Sequence, residues 1–189
     1  MANRNTQGFG LIAAGTLGQT PATSGQGKYK IDAGYGTTIY QGGAVSSNAG
    51  YVIDGQTTDA AILGVLNGIF YNAATTLKPT FANFYKTPIT PANSEDIDAF
   101  VFDNPQQQYV VAIDNTLAQS GYLETYDMNA SSGSDTTGKS TSTLDHDDTS
   151  ADAASFRLLR SAEDPENDEN SAFRSVVVVP NLINLQKGQ

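Results

Sequence analysis

The sequence contains no cysteine, no tryptophan and a single histidine, His146. Without thiols there is no disulfide, no thiolate zinc site, no iron–sulfur cluster and no cysteine nucleophile. One histidine is little to build a Ser-His-Asp triad from and excludes a His-Glu-x-x-His motif, and no Gly-x-Ser-x-Gly elbow is spelled. Positive charge is scarce: ten Lys and Arg stand against twenty Asp and Glu, a net charge of −10. An acidic surface repels phosphates and anionic lipids, so neither nucleic acid nor membrane is expected as a direct partner. No apolar run approaches the roughly 20 residues a membrane helix needs, and the opening residues are too polar and glycine-rich for a secretory signal. A soluble protein made in the cytoplasm is expected.

What is abundant is glycine, serine, threonine, asparagine and alanine, a composition that favours short strands and turns over long charged helices. A chain of 189 residues buries one substantial core or two small ones sharing an interface, and one compact domain with appendages is expected. Residues 1–26 hold one charge, Arg4, and five glycines, with Phe9, Leu11, Ile12 and Leu17 scattered without helical or strand period. This stretch reads as an extended N-terminal arm whose four apolar residues find pockets on another surface. Residues 27–189 read as a single β-rich domain.

Within that domain, KYKIDA, TTIYQGGAV and YVIDG read as three short strands, each bounded by turn formers. Asp59–Tyr71 matches both a helical stripe and a buried strand pair, and the glycines Gly64 and Gly68 weigh for strands. Residues from Pro79 read as a strand followed by a proline-punctuated loop. DIDAFVFDNP and QQQYVVAIDN flank Asn104-Pro105 and read as the clearest hairpin. Residues 131–153 hold too little apolar surface to offset the entropy of ordering and read as a surface loop. The strands ASFRLLR and AFRSVVVVPNLINL follow, joined by an acidic loop over 161–171. The four consecutive valines Val176–Val179 imply a strand covered on both faces. The fold class expected is mostly β: a compact antiparallel β-barrel or sandwich with an extended N-terminal arm and long acidic surface loops.

Gly133-Ser-Asp-Thr-Thr-Gly138-Lys139-Ser140 satisfies the phosphate-loop pattern, in which backbone amides and a lysine cradle phosphates. That chemistry needs a buried strand before the loop and a helix after it. STSTLDHDDTS follows instead, with no helical period, so a flexible loop is expected. His146 lies in Asp145-His146-Asp147-Asp148, a cluster of oxygen donors of the kind calcium takes, but neither this run nor Asp164–Glu169 has the glycine and bidentate glutamate of a calcium loop. A carboxylate pair for glycoside hydrolysis is open to any of twenty acids and can be nominated for none. No catalytic, cofactor or metal residue is therefore assigned, and no cofactor is expected.

An Ala-Asn-x-Asn-x-x-x-Gly-Phe-Gly opening over 2–10, a Lys-Tyr-x-Ile strand with Thr-x-Ile-Tyr-x-Gly over 28–42, and Ile62-Leu63-Gly64-Val65 occur in that order. After them come the turn and Gln-rich strand over 102–109 and Phe156-Arg157-Leu158-Leu159-Arg160 before an asparagine-bearing acidic turn. In this order the sequence resembles a group of small virion structural proteins of tailed bacteriophages, often marine. Asp103-Asn104-Pro105 departs from the Asp-Asp-Pro expected there. The resemblance implies no activity. It carries over no site residue and implies a capsid decoration or cement protein on the outer surface of the shell, bound to the major capsid protein and expected as a homo-oligomer (dimer or trimer); the contact expected from the residues themselves is the arm's Phe9, Leu11, Ile12 and Leu17. A head-to-tail connector or tail-associated structural protein is the alternative, and a small carbohydrate- or nucleotide-acting enzyme the distant one.

Overall fold

The structure, a computed structural model, describes residues 5–19, 25–55, 61–129, 132–150, 154–168, 170–181, 183 and 185. The chain is mostly β, as its composition implies. Its first sheet contains β1 (Ile12–Thr16), β8 (Gln107–Ile113), β9 (Thr125–Met128), β10 (Leu144–Ser150), β11 (Phe156–Ser161) and β12 (Arg174–Pro180). The pairings run β8-β10-β9-β11-β12 and return from β12 to β8, which closes a five-stranded barrel; β1 adds to β8 outside the ring. The second sheet runs β2 (Gly27–Ile31), β7 (Ile97–Phe102), β5 (Gly64–Asn72), β3 (Ala44–Asn48) and β4 (Tyr51–Asp54), with β6 (Pro79–Ala82) on the far half of β5. This sheet curls until β4 packs beside β2.

Each sheet wraps its own apolar core. The barrel encloses Tyr109, Val111, Ile113, Tyr126, Leu144, Phe156, Leu158, Val176 and Val178. The curled sheet encloses Ile31, Val45, Val52, Leu66, Ile69, Tyr85, Ile97 and Val101. Of the one substantial core or two smaller ones that the length allows, the chain has two, and the strands between them explain how they join. Along β3, Ala44 faces the barrel core and Val45 the other; along β5, Val65 and Leu66 divide in the same way. A strand covered on both faces has no solvent side to mark with polar residues, which is why Ala61–Leu66 reads as an unbroken apolar run. Where a buried strand pair was expected over Asp59–Tyr71, the described part is one strand, β5, preceded by buried Ala61, Ile62 and Leu63.

One local expectation fails for a reason of topology. β7 and β8 do not form a hairpin. The turn itself is present, with Gln107 N–H donating to the Asn104 carbonyl (3.0 Å) and Gln106 N–H to Asn104 Oδ1 (2.9 Å). However, β7 already pairs with β2 on one side and β5 on the other, so β8 has no edge there and passes into the barrel. The two-residue hairpin lies at β3–β4, where Ala49 and Gly50 both take positive φ (50° and 88°). That is the turn whose twist matches paired strands. The strands placed at KYKIDA, YVIDG, the residues from Pro79, ASFRLLR and the valine run are present as β2, β4, β6, β11 and β12. TTIYQGGAV contributes only isolated bridges at Ile39 and Gln41 before β3 begins at Ala44. Val176 to Val179 are all buried, so β12 is covered on both faces.

The serine-rich stretch over 131–153, expected as a surface loop, contributes strand β10, and Ser140, Ser142, Thr143 and Leu144 are buried. Hydroxyls compensate for the missing apolar surface by bonding one another and the main chain: Ser140 Oγ donates to the Ser132 carbonyl (3.2 Å) and lies within hydrogen-bond distance of Ser142 Oγ (3.1 Å). Buried polar groups are tolerated when they are paired in this way.

Candidate interaction surface

Of the N-terminal segment expected over 1–26, residues 1–4 and 20–24 lie outside the described residues; the stretch from Leu11 to Thr16 is extended and lies on the chain's own barrel. Leu11 N–H donates to the Gly42 carbonyl (2.8 Å), and β1 pairs with β8 from Ile12↔Val110 to Thr16↔Gln107. Of the four residues expected to meet a partner, Leu11 is buried in the barrel core, 3% exposed. This corrects its assignment: its partner is the chain itself. Ile12 is 54% exposed and Leu17 37% exposed; Phe9 is half-buried. Phe9, Leu11 and Ile12 line one cavity of about 380 Å³ with Ala13, Val65, Leu66 and Phe102, and Gln41, Asn67 and Lys139 supply its polar groups. The cavity opens where the two cores meet, beside the terminal strand of the barrel sheet. Leu17 is outside its lining.

The phosphate-loop spelling has a structural cause. Gly133 bridges Ser140 across a tight turn, with Gly138 N–H donating to the Ser134 carbonyl (2.7 Å). A Cβ at Gly133 would overlap the Tyr40 ring, and one at Gly138, where φ is 70°, would overlap Phe84. Tyr40 and Phe84 stack on each other, 5.7 Å between centroids and 6° between planes. The turn is pinned to them: Tyr40 O–H donates to Asp135 Oδ1 (2.8 Å), Asn83 Nδ2 to the Thr137 carbonyl (2.7 Å), and Lys86 pairs with Asp135 (3.0 Å). The Lys86 and Tyr40 hydrogen bonds hold the Asp135 carboxyl below its ordinary range. The flexible loop expected here is instead a fixed turn, whose glycines make room for two rings. Strand β10 follows it, not the helix a phosphate loop requires.

Other carboxylates likewise organise the backbone. Asp127, 3% exposed, accepts from Ser155 N–H (2.8 Å) and Oγ–H (2.6 Å). Asp103 accepts from Tyr29 O–H (2.6 Å); burial first, then this bond, raises the Tyr29 hydroxyl to about 12. Asp114 accepts from His146 N–H (3.0 Å) and Asn129 Nδ2 (2.9 Å). His146 Nδ1 lies 3.1 Å from Asp147 Oδ1. Among the described residues no three His, Asp or Glu are grouped to hold a metal ion. In the acidic loop, Asp164 and Asp168 bond the N–H groups of Glu166 and Asn170, and Asn167 ties the loop to Ser161, Ala162 and Ser175.

A third feature had no sequence signal. On the outer face of the second sheet, cross-strand register aligns Phe81, Phe70, Asp98 and Lys30 in one row across β6, β5, β7 and β2. Beside it Phe100 lies opposite Gly68 and Lys28. Phe81 packs on Phe70 (4.8 Å) and reaches over Gly68 to stack on Phe100 (6.1 Å, 17°). Asp98 takes Lys28 on one oxygen (2.7 Å) and Lys30 on the other (2.6 Å). Its partial burial pushes its pKa up, and the two ammonium groups outweigh that and hold it below the ordinary value.

Compared with protein-family models, with curated proteins and with solved structures, the chain shows no match.

Proposed function

We propose that the chain is a structural protein of a tailed-phage particle, a decoration or cement subunit that binds the major capsid protein on the outside of the shell. The observation that carries this reading is the open apolar face of the N-terminal segment. Ile12 and Leu17 are exposed on and just after the last strand of the barrel sheet, and Phe9 and Ile12 border an apolar cavity beside it. An end strand presents backbone donors and acceptors to an incoming strand, and exposed apolar side chains add specificity. Each contact is small, and many copies on one shell make the attachment firm. The acidic connection over 163–166 is exposed, as suits the outer side of a particle.

The test adds full-length protein, or the double variant Ile12→Asp/Leu17→Asp, to bare capsids and counts occupied sites by image reconstruction. Occupancy in hundreds of copies that falls sharply in the double variant supports the reading. A dozen or fewer copies on the tail axis would assign the chain to a connector or tail component, and equal occupancy by both proteins would remove the N-terminal face from the contact.

A further inference from the structure

The outer face of the second sheet carries a knob beside a hole. Phe81 is 74% exposed, an unusual cost for an aromatic ring in water. Immediately next to it is a hollow of about 430 Å³ lined by Phe81, Phe100, Gly68, Ala82, Asn67 and Gln26, among others. A two-fold contact requires this juxtaposition, because whatever one copy inserts must find its receptor on the same patch of the other.

Charge identifies the occupant. The patch holds both signs at close range, Lys28 and Lys30 with Asp98, and Asp96 and Glu95 in the neighbouring hollow with Lys30. A strongly acidic or strongly basic partner would meet its own sign on part of the patch. A second copy brings both signs in the same proportion, so like charges need not be opposed across the contact. The net charge of −10 makes two copies repel over most of their surface, so a self-contact belongs where lysines offset the acids. The end strand β6, which among the described residues pairs only with β5, borders this patch and offers it a backbone edge.

We propose that the outer face of the second sheet is a two-fold self-association surface, with Phe81 of each copy seated in the hollow beside Phe81 and Phe100 of the other. The homo-oligomer expected from the sequence had no surface assigned to it; the outer face of the second sheet is one, and because this contact concerns the free protein and a face other than the shell contact, either reading can fail without the other.

The test uses the full chain in solution. Sedimentation equilibrium over a concentration series reaching the high-micromolar range should show the mass rising from 19.9 kDa towards twice that value. Phe81→Asp should remain monomeric at every concentration, with an unchanged circular dichroism spectrum and a melting temperature only a few degrees lower, because the side chain it replaces is 74% exposed and gives up ring contacts with Phe70 and Phe100 alone among the aromatic residues. The native chain has no cysteine, so Phe81→Cys offers one thiol. Under mild oxidation it should form a covalent dimer much faster than Leu123→Cys, whose site is also open, at 61% exposure, but lies on the barrel side. A native chain that stays monomeric throughout, a Phe81→Asp protein that still dimerises, or equal cross-linking at both positions would each overturn the proposal. A monomeric native chain whose capsid occupancy is lost in Phe81→Asp would also overturn it, giving the patch to the shell.

Discussion

Leu11→Ala separates the two accounts of the N-terminal segment. If the segment were an arm that docks only on a partner, truncating Leu11 in the free protein would cost almost nothing. In the structure Leu11 is 3% exposed within the barrel core. Buried leucine to alanine costs about 2–5 kcal/mol, the spread reflecting how much new cavity is left behind. Leu11 already borders open space of about 380 Å³, so little of the void is new, and the lower part of the range applies, about 2–3 kcal/mol. For a chain of this size each kcal/mol lowers the melting temperature by roughly 2–4 °C, so a fall of about 5–10 °C is expected. The adjacent Ile12→Ala, at a position 54% exposed, should stay within about 0.5 kcal/mol. Both variants are compared by calorimetry and urea unfolding under one buffer condition. A Leu11→Ala protein as stable as Ile12→Ala would refute the assignment of residues 11–16 to the barrel. Deleting residues 1–26 makes the same point more severely: it removes β1 and Leu11 together, and cooperative melting should be lost, where a detachable arm would leave it intact.

Val178→Asp buries an unpaired carboxylate in the barrel core and should prevent folding, and a soluble variant that melts cooperatively would contradict the burial of β12. Gly133→Ala, which sets a methyl against the Tyr40 ring, should destabilise by about 1–3 kcal/mol in urea unfolding, while the exposed Lys139→Ala should change stability by less than about 0.5 kcal/mol; saturable micromolar nucleotide binding lost in Lys139→Ala would overturn the structural reading of that turn. Asp98 has its pKa lowered in the fold, so the stability it contributes is present above the unfolded carboxyl value of about 3.9 and is lost as pH falls from there through the lower folded value. Lys28→Ala/Lys30→Ala leaves a partly buried carboxylate without its cations, and melting temperature recorded from neutral pH into acid should lose that downturn; an unchanged acid limb would mean the pair has no part in it.

Much of the β architecture was legible because its signals are local. β2, β4, β11 and β12 stand where short β-branched or aromatic runs are bounded by turn formers, and the valines of β12 announce a strand buried on both faces. The rest depended on partners far along the chain. Asn104-Pro105 makes the turn its residues encode, yet whether the following strand folds back is decided by β2 and β5, which occupy both edges of β7. Nothing within residues 131–150 shows that Tyr40 and Phe84 await Gly133 and Gly138, so the stretch reads as unstructured.

The candidate sites divide in the same way. Apolar residues in the N-terminal segment were visible, but at one-residue spacing Leu11 and Ile12 part company, one into the core and the other into solvent, as side chains of consecutive strand residues do. The Phe70, Phe81 and Phe100 patch was invisible, since three rings from three strands meet only through sheet register. Composition and local pattern thus determined that this chain is acidic, thiol-free and built of short strands. Which strands pair, which of two cores each side chain enters and which rings meet on the surface were decided by long-range pairing, because a β-strand carries its alternation in its own residues and its neighbours in someone else's.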